Sequence, residues 1–322
     1  MREIAGGQRK SIKQIIVDSR TFIILILICI IFACLKDTFY NPINIINIVK
    51  RSAYIAVVAF TTTLCLTQGN LDISVGGTAA MVGTFVALAF KSGLSLPVVI
   101  LIGLASGALA GWIVGFISIK GKCETFLVSM AMKYVYVGIA YWITAGTPIP
   151  ISNKTFNNIF GTGEIFGFFP LPIFIVIASF MAVWFLYKKT KYGYYLRAIG
   201  SNIEAAQVAG INTDRIKIYT FVLNGALGGV AGMCLAGMFE FGSPAVASEL
   251  ALEAIAAVVL GGSSVSGGKG NVGGTVIGVL IIGVINNGLQ LMGAAYAMES
   301  IVKGAIIIIA ILLDSWARSR ES

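Results

Sequence analysis

Not one histidine occurs among the 322 residues. That absence excludes histidine-ligated zinc sites and the Ser–His and Cys–His forms of nucleophilic catalysis. Charge is scarce too: 11% of residues are Asp, Glu, Lys or Arg, while 57% are hydrophobic and the mean hydropathy is +0.90. So few charges cannot clothe a water-soluble domain of this length. The five cysteines, at 29, 34, 65, 123 and 234, lie scattered in mostly apolar stretches without a CxxC pair, so they read as small hydrophobes and not as a disulfide framework. A phosphate loop is missing as well. The stretch VVLGGSSVSGGKGNVGG (258–274) looks like one, but with Gly268-Lys269 fixed the leading glycine falls on Ser263 and the required hydroxyl on Gly270.

What the chain does have is a succession of apolar runs near the ~20 residues that cross a bilayer. Ten spans are read at about Thr21–Leu35, Ser52–Thr67, Gly76–Phe90, Leu96–Ile119, Phe126–Ala145, Pro170–Tyr187, Ile218–Phe239, Leu250–Val265, Val272–Met292 and Met298–Leu313. The first follows a basic stretch with no small-x-small cleavage site after it, so it is expected to stay uncleaved. The net charge of +9 comes from 23 basic against 14 acidic residues. These basic residues cluster between apolar runs, the distribution of the positive-inside rule and not of a nucleic-acid surface. With the N-terminus in the cytoplasm, the segments at 120–124 and 188–217 and the tail with Arg318 and Arg320 fall inside. The loops at 146–169 and 240–249 fall outside and carry only Lys154 as a basic residue. The expected layout is a basic segment at 1–20, one membrane unit at 21–314 and a tail at 315–322.

Glycine is abundant, at 38 residues. Gly103, Gly107, Gly111 and Gly115 recur every fourth position and Gly274 and Gly278 repeat the spacing, which lets helix backbones approach closely. Two segments do not read as simple spans. TQGNLDISVGG (67–77) sets Gln68, Asn70, Asp72 and Ser74 between two apolar runs, and the glycine-rich stretch above lies between two more. Each is either an ordinary turn or a break in a membrane helix of the kind that marks transport pathways. Their corresponding places in the two halves raise an internal pseudo-two-fold repeat.

In KKTKYGYYLRAIGSNIEAAQVAGINTDRIK (188–217), Ser201-Asn202-Ile203-Glu204 has capping-box spacing, and Ala205, Ala206 and Gln207 favour helix. Gly210 can supply a left-handed C-terminal position. A short capped helix is expected near 202–209, able to transmit force to a partner or simply to tie off the loop.

GYYLRAIGSNIEAAQVAGI resembles the cytoplasmic coupling segment of sugar permeases in ribose-type bacterial ABC importers. GNLDISVGG resembles that family's Gly-x-x-Asp-Leu/Ile-Ser-Val-Gly segment, and residues 252–293, with the pair Asn286-Asn287, resemble its C-terminal glycine-rich block. The likeness runs from about residue 50 to 314, with Asn70-Leu71 and Ser263-Ser264-Val265 departing from the commoner residues. It implies an all-α integral membrane permease of the bacterial inner membrane, multi-pass, with both termini in the cytoplasm. It also implies a second copy or a paralogous permease, two ATPase subunits carrying ATP and Mg, an extracellular or periplasmic sugar-binding protein, and no cofactor in this chain.

On that resemblance, Arg197, Gly200, Asn202, Glu204, Ala205, Ala206 and Gly210 are expected to couple to the ATPase. Gln68, Asn70, Asp72, Ser74, Asn286, Asn287 and Gln290 are candidates for the translocation pathway. Uncharged amides suit a sugar, but the same amides can instead bond neighbouring helices. Asp72 either lines the path or caps the helix beginning near Ser74. Glu249 and Glu253 either meet the binding protein or face water. The rival from a different class is an ion-gradient-driven secondary transporter using Asp72.

Overall fold

The computed structural model describes residues 20–295, 297–306 and 308. Nearly all of the basic segment expected at 1–20, and all of the tail expected at 315–322, lie outside the described residues. The chain is helical nearly throughout: α1 (Arg20–Leu35), α2 (Pro42–Thr67), α3 (Ser74–Lys91), α4 (Leu96–Lys120), α5 (Thr125–Thr144), α6 (Pro172–Lys189), α7 (Lys191–Ser201), α8 (Ile203–Val208), α9 (Thr213–Phe239), α10 (Leu250–Leu260) and α11 (Val272–Leu291). A further helix, α12, covers 297–306. Seven of these, α2 to α6, α9 and α11, are long and apolar enough to cross a membrane, and α1 and α10 are apolar but shorter. The protein is a multi-pass membrane protein.

Three differences from the sequence reading bear on the site. Helix α2 begins at Pro42, ten residues before the expected span. Proline suits the first helical turn and the Asn41 side chain accepts from Ile43 N at 3.0 Å, so the helix starts where its cap is. The second difference is α10, which stops at Leu260 instead of Val265. Its 11 residues rise about 16 Å, roughly half a bilayer core. The third is α7, a helix where a loop was read.

Helices α3 and α9 are mostly buried, whereas α5 and α6 expose most of their apolar residues. The glycine stripe of α4 explains how α9 comes to lie inside. Gly107 and Gly111 face Gly225 and Gly229, and a methyl added to Gly107 would stand 3.0 Å from the Gly229 Cα. A methyl on Gly111 would stand 2.8 Å from the Phe221 carbonyl carbon. The stripe is a backbone-to-backbone contact, and the complementary glycines of α9 form its other half. At one end of the bundle the loops pair as short antiparallel strands, Ile149–Pro150 with Phe241–Gly242. At the other end lie the basic segments, including an ion pair between Lys120 and Asp214 at 2.9 Å.

Candidate functional site

The two suspected breaks have the same local structure. Helix α2 ends with Gly69 at φ +79°, and the amides of Gly69 and Asn70 return to the carbonyls of Leu66 (2.9 Å) and Cys65 (3.0 Å). Helix α10 ends with Gly262 at φ +86°, and the amides of Gly262 and Ser263 return to Val259 (2.9 Å) and Val258 (3.2 Å). Both are Schellman caps, and only glycine takes that left-handed position without a steric cost. The turns then touch: Gly268 N donates to the Thr67 carbonyl at 2.8 Å. The glycine-rich stretch is therefore a helix break, and Asn271 closes it. Its Oδ1 accepts from Gly274 N (2.9 Å), and its Nδ2 donates to the Gly261 carbonyl (3.0 Å).

The polar side chains after α2 are almost entirely buried, as non-helical backbone within a membrane domain must be. Asp72 accepts from Ser74 N (2.9 Å) and Ser74 Oγ (2.6 Å), so it closes the first turn of α3. Its other oxygen accepts from Asn224 Nδ2 at 2.9 Å, which ties that turn to α9. Asp72, Ser74 and Asn224 form a closed knot. Gln68 accepts from Thr220 Oγ1 at 2.9 Å, and Thr220 exchanges a hydrogen bond with the Tyr192 hydroxyl at 2.7 Å. Asn70 donates to Thr125 Oγ1 at 3.2 Å.

Helix α7 sits directly on both breaks. Gly200 lies against the Thr67 carbonyl and the Gly268 amide so closely that a methyl there would collide with both. Arg197 holds the end of α6, donating to the Tyr187 carbonyl at 3.1 Å and lying over the Tyr187 ring at 5.0 Å. Tyr187 reaches onward, its hydroxyl donating to the Gly270 carbonyl at 3.0 Å.

The short helix expected near 202–209 is α8, but its cap differs from the capping-box reading. Ser201 is spent as the last residue of α7, so Asn202 is the cap, its Oδ1 accepting from Ala205 N at 2.9 Å. Glu204 then falls at the second helical position, not the third that a capping box needs. Gly210 takes the left-handed position at φ +80°, as expected. Ala206 is buried, while Glu204, Ala205 and Val208 face outward.

Asn286 and Asn287, adjacent in sequence, have different fates. Asn287 is buried in a reciprocal amide pair with Asn44 on α2, both hydrogen bonds 2.9 Å. Asn286 and Gln290 line a polar cavity of about 150 Å³ in the other half of the bundle, with Arg51, Tyr54, Glu253 and Lys303. There Glu253 accepts from Asn286 Nδ2 at 3.0 Å and from Lys303 Nζ at 2.8 Å, and Arg51 donates to Gln290. Glu253 was expected at the surface, but it is only 6% exposed. Its distance from the surface follows from α10 entering the bundle immediately after Leu250. Glu249 remains half-buried at that helix's end. Sequence reasoning missed Arg51, Asn224, Thr220 and Lys303. Arg51 and Lys303 flank apolar runs and looked like solvated ends, and Asn224 and Thr220 look like ordinary residues of a span.

A helical membrane bundle with two capped breaks that meet beneath a structured basic loop, and with a polar cavity in its other half, is the architecture of a permease. The chain belongs to the permease-component family of branched-chain amino acid transport systems, which it matches over residues 44–311. It is similar to the ribose import permease protein of Haemophilus influenzae, 34% identical over 313 residues that cover 96% of this chain and 97% of that one. It is 37% identical over 294 residues to the ribose import permease protein of Bacillus subtilis, 91% of each chain. The galactofuranose transporter permease protein of Escherichia coli is 35% identical over 279 residues, 86% of this chain and 80% of that one. These relatives are permease components and not enzymes. No solved structure matches.

Proposed function

We propose that the chain is the membrane-spanning subunit of an ATP-driven importer of a monosaccharide, working by alternating access with a sugar-binding protein on the far side. In this reading the basic end faces the cytoplasm of the bacterial inner membrane, both termini lie there, and a second copy or a paralogous permease completes the pathway. ATP and Mg belong to the partner ATPase, since the glycine-rich stretch of this chain is occupied in breaking a helix. The observation that carries the proposal is the seat of α7 at Gly200 against Thr67 and Gly268. A push on α7 and α8 would reach both breaks at once, with no flexible linker between.

Within the pathway, Asn286 and Gln290 are the amides placed to meet a sugar, because they line an open polar cavity. Asp72 and Ser74 are engaged in the closed knot with Asn224, and Asn287 with Asn44, so we assign these to holding the helices. Arg197, Gly200, Asn202, Ala206 and Gly210 form the coupling element, with Glu204 and Ala205 on its outward face. The outer end of α10 at Glu249 is our candidate for meeting the binding protein. Uptake of labelled sugars into proteoliposomes holding this chain, its ATPase and its binding protein tests the whole reading. Uptake that needs internal ATP and both partners supports it; uptake by the chain alone under a proton or sodium gradient sinks it.

A further inference from the structure

A second polar cavity, of about 260 Å³, opens at the basic end between the turn after α2, the junction of α4 and α5, α8 and the start of α9. It has room for one monosaccharide-sized molecule. Asn70, 8% exposed, lines it, and while Nδ2 is held by Thr125, the buried Oδ1 has no hydrogen-bond partner among the described residues. A buried amide oxygen without a donor is costly, and a turn of the Asn70 side chain toward the cavity would let a molecule there supply one. The same cavity is lined by two ammonium groups, Lys122 and Lys217, and two carboxylates, Glu124 and Asp214, the last already paired with Lys120 at 2.9 Å. An anion would meet the carboxylates and a cation the ammonium groups. A neutral molecule bearing several hydroxyls fits all of these groups, because each hydroxyl both donates and accepts.

The α8 wall is Ile203, the first residue of that helix. A molecule in this cavity would therefore bridge the coupling helix to the Asn70 turn and to α5. We propose that the cavity binds a neutral polyhydroxylated ligand from the cytoplasmic side, namely the imported sugar once it has accumulated, and that its occupancy restrains α8 and slows import. The identity of the ligand and the side of entry rest on the proposed function above; the site itself rests on the orphan Asn70 oxygen and its mixed-charge surroundings.

Cys123 is an exposed thiol on the cavity's lining and provides a reporter independent of transport. With Cys29 and Cys34 replaced by alanine, Cys65 and Cys234 are buried and Cys123 is the accessible thiol. The experiment measures alkylation of Cys123 by a charged maleimide in the purified full chain. D-ribose or L-arabinose is added at millimolar concentrations, against potassium chloride of equal osmolarity. The expected result is a saturable slowing of several-fold, lost in Lys217→Met and in Lys122→Ala, the second a change at an exposed side chain.

In the assembled importer, sugar loaded inside the liposomes should lower the initial uptake rate at least twofold, and Lys217→Met should relieve it. Alkylation at full speed under sugar concentrations that saturate import, or protection unchanged in both variants, overturns the site. Importers that never transport either sugar would defeat the functional reading instead, while protection of Cys123 would still speak for the cavity.

Discussion

Asp72 is the one acid buried among the breaks, and two mechanisms make opposite demands on it. If it only holds α3 to α9, what matters is its acceptor oxygens: Ser74 N and Oγ on one side, Asn224 Nδ2 on the other. Asp72→Ala strips the acceptor from three buried donors and should cost about 2–4 kcal/mol, since each stranded group carries its desolvation penalty. Asp72→Asn should be much milder. The new amide can keep the Ser74 contacts, and Asn224 can turn its own oxygen, which has no partner here, toward the new NH2. Thermal unfolding in detergent should rank wild type, Asp72→Asn and Asp72→Ala in that order, with ATP-driven uptake by Asp72→Asn within a few-fold of wild type. A stable Asp72→Asn protein without uptake would mean that the charge itself is used, as an ion-coupled transporter would use it. At this scale the sequence was informative about one partner only. Asp72 and Ser74 are two residues apart and their capping was readable, but Asn224 lies 152 residues away and nothing local marks it.

For whole elements, a local device sets each boundary, but the sequence reading used only some of them. The left-handed position at Gly210 was read as such, whereas the Asn41 cap that starts α2 and the Gly262 cap that ends α10 lie away from the expected bounds. The stripe on α4 was visible as a spacing, but its mate on α9 was not read, although Gly225 and Gly229, and Gly228 and Gly232, carry the same four-residue spacing. Helix α7 was hidden by aromatic and basic residues that break apolar periodicity, and the first ten residues of α2 by Lys50, Arg51 and the asparagines before them. Two predictions belong here. Gly111→Ala should destabilise by about 1–3 kcal/mol, since its methyl must displace the α9 backbone. Gly138→Ala, on α5 with open space around it, should be neutral or slightly stabilising, and melting temperatures of the pair would expose any error in the α4–α9 contact. The second concerns α8. Gly210→Val forces a β-branched residue to φ +80°, at a local cost of about 1–3 kcal/mol. Because α8 lies at the surface, the bundle should melt as before, while sugar-stimulated ATP hydrolysis by the complex falls several-fold. Unchanged assembly together with unchanged hydrolysis would remove α8 from the coupling path.

Across the whole molecule, the two breaks and the polar cavity sit at opposite ends of the same helices, α2, α10 and α11. The breaks lie beneath α7; at the cavity around Glu253 four helices meet, α2, α10 and α12 through charged groups and α11 through Asn286 and Gln290. Lys303 reaches Glu253 from α12, and Arg51 reaches Gln290 from α2, so this cavity holds the later part of the chain against its beginning. The Glu253 and Lys303 side chains are only 7% and 18% exposed, and separating a buried pair leaves a charge without compensation. Glu253→Gln or Lys303→Met alone should destabilise strongly, up to the roughly 3–5 kcal/mol of a fully buried pair and less where water enters the cavity. The double variant removes both charges and should regain most of that loss, so the melting temperatures should be non-additive. Uptake distinguishes what the pair does beyond stability. If the cavity serves only as glue, the double variant Glu253→Met, Lys303→Met transports at the wild-type rate once its stability returns. If Asn286 meets the sugar while Glu253 orients its amide, the same double variant, which also removes the acceptor of Asn286 Nδ2, folds but requires a higher sugar-loaded binding-protein concentration for half-maximal uptake. The proposed pathway through Asn286 and Gln290 stands only on the second outcome.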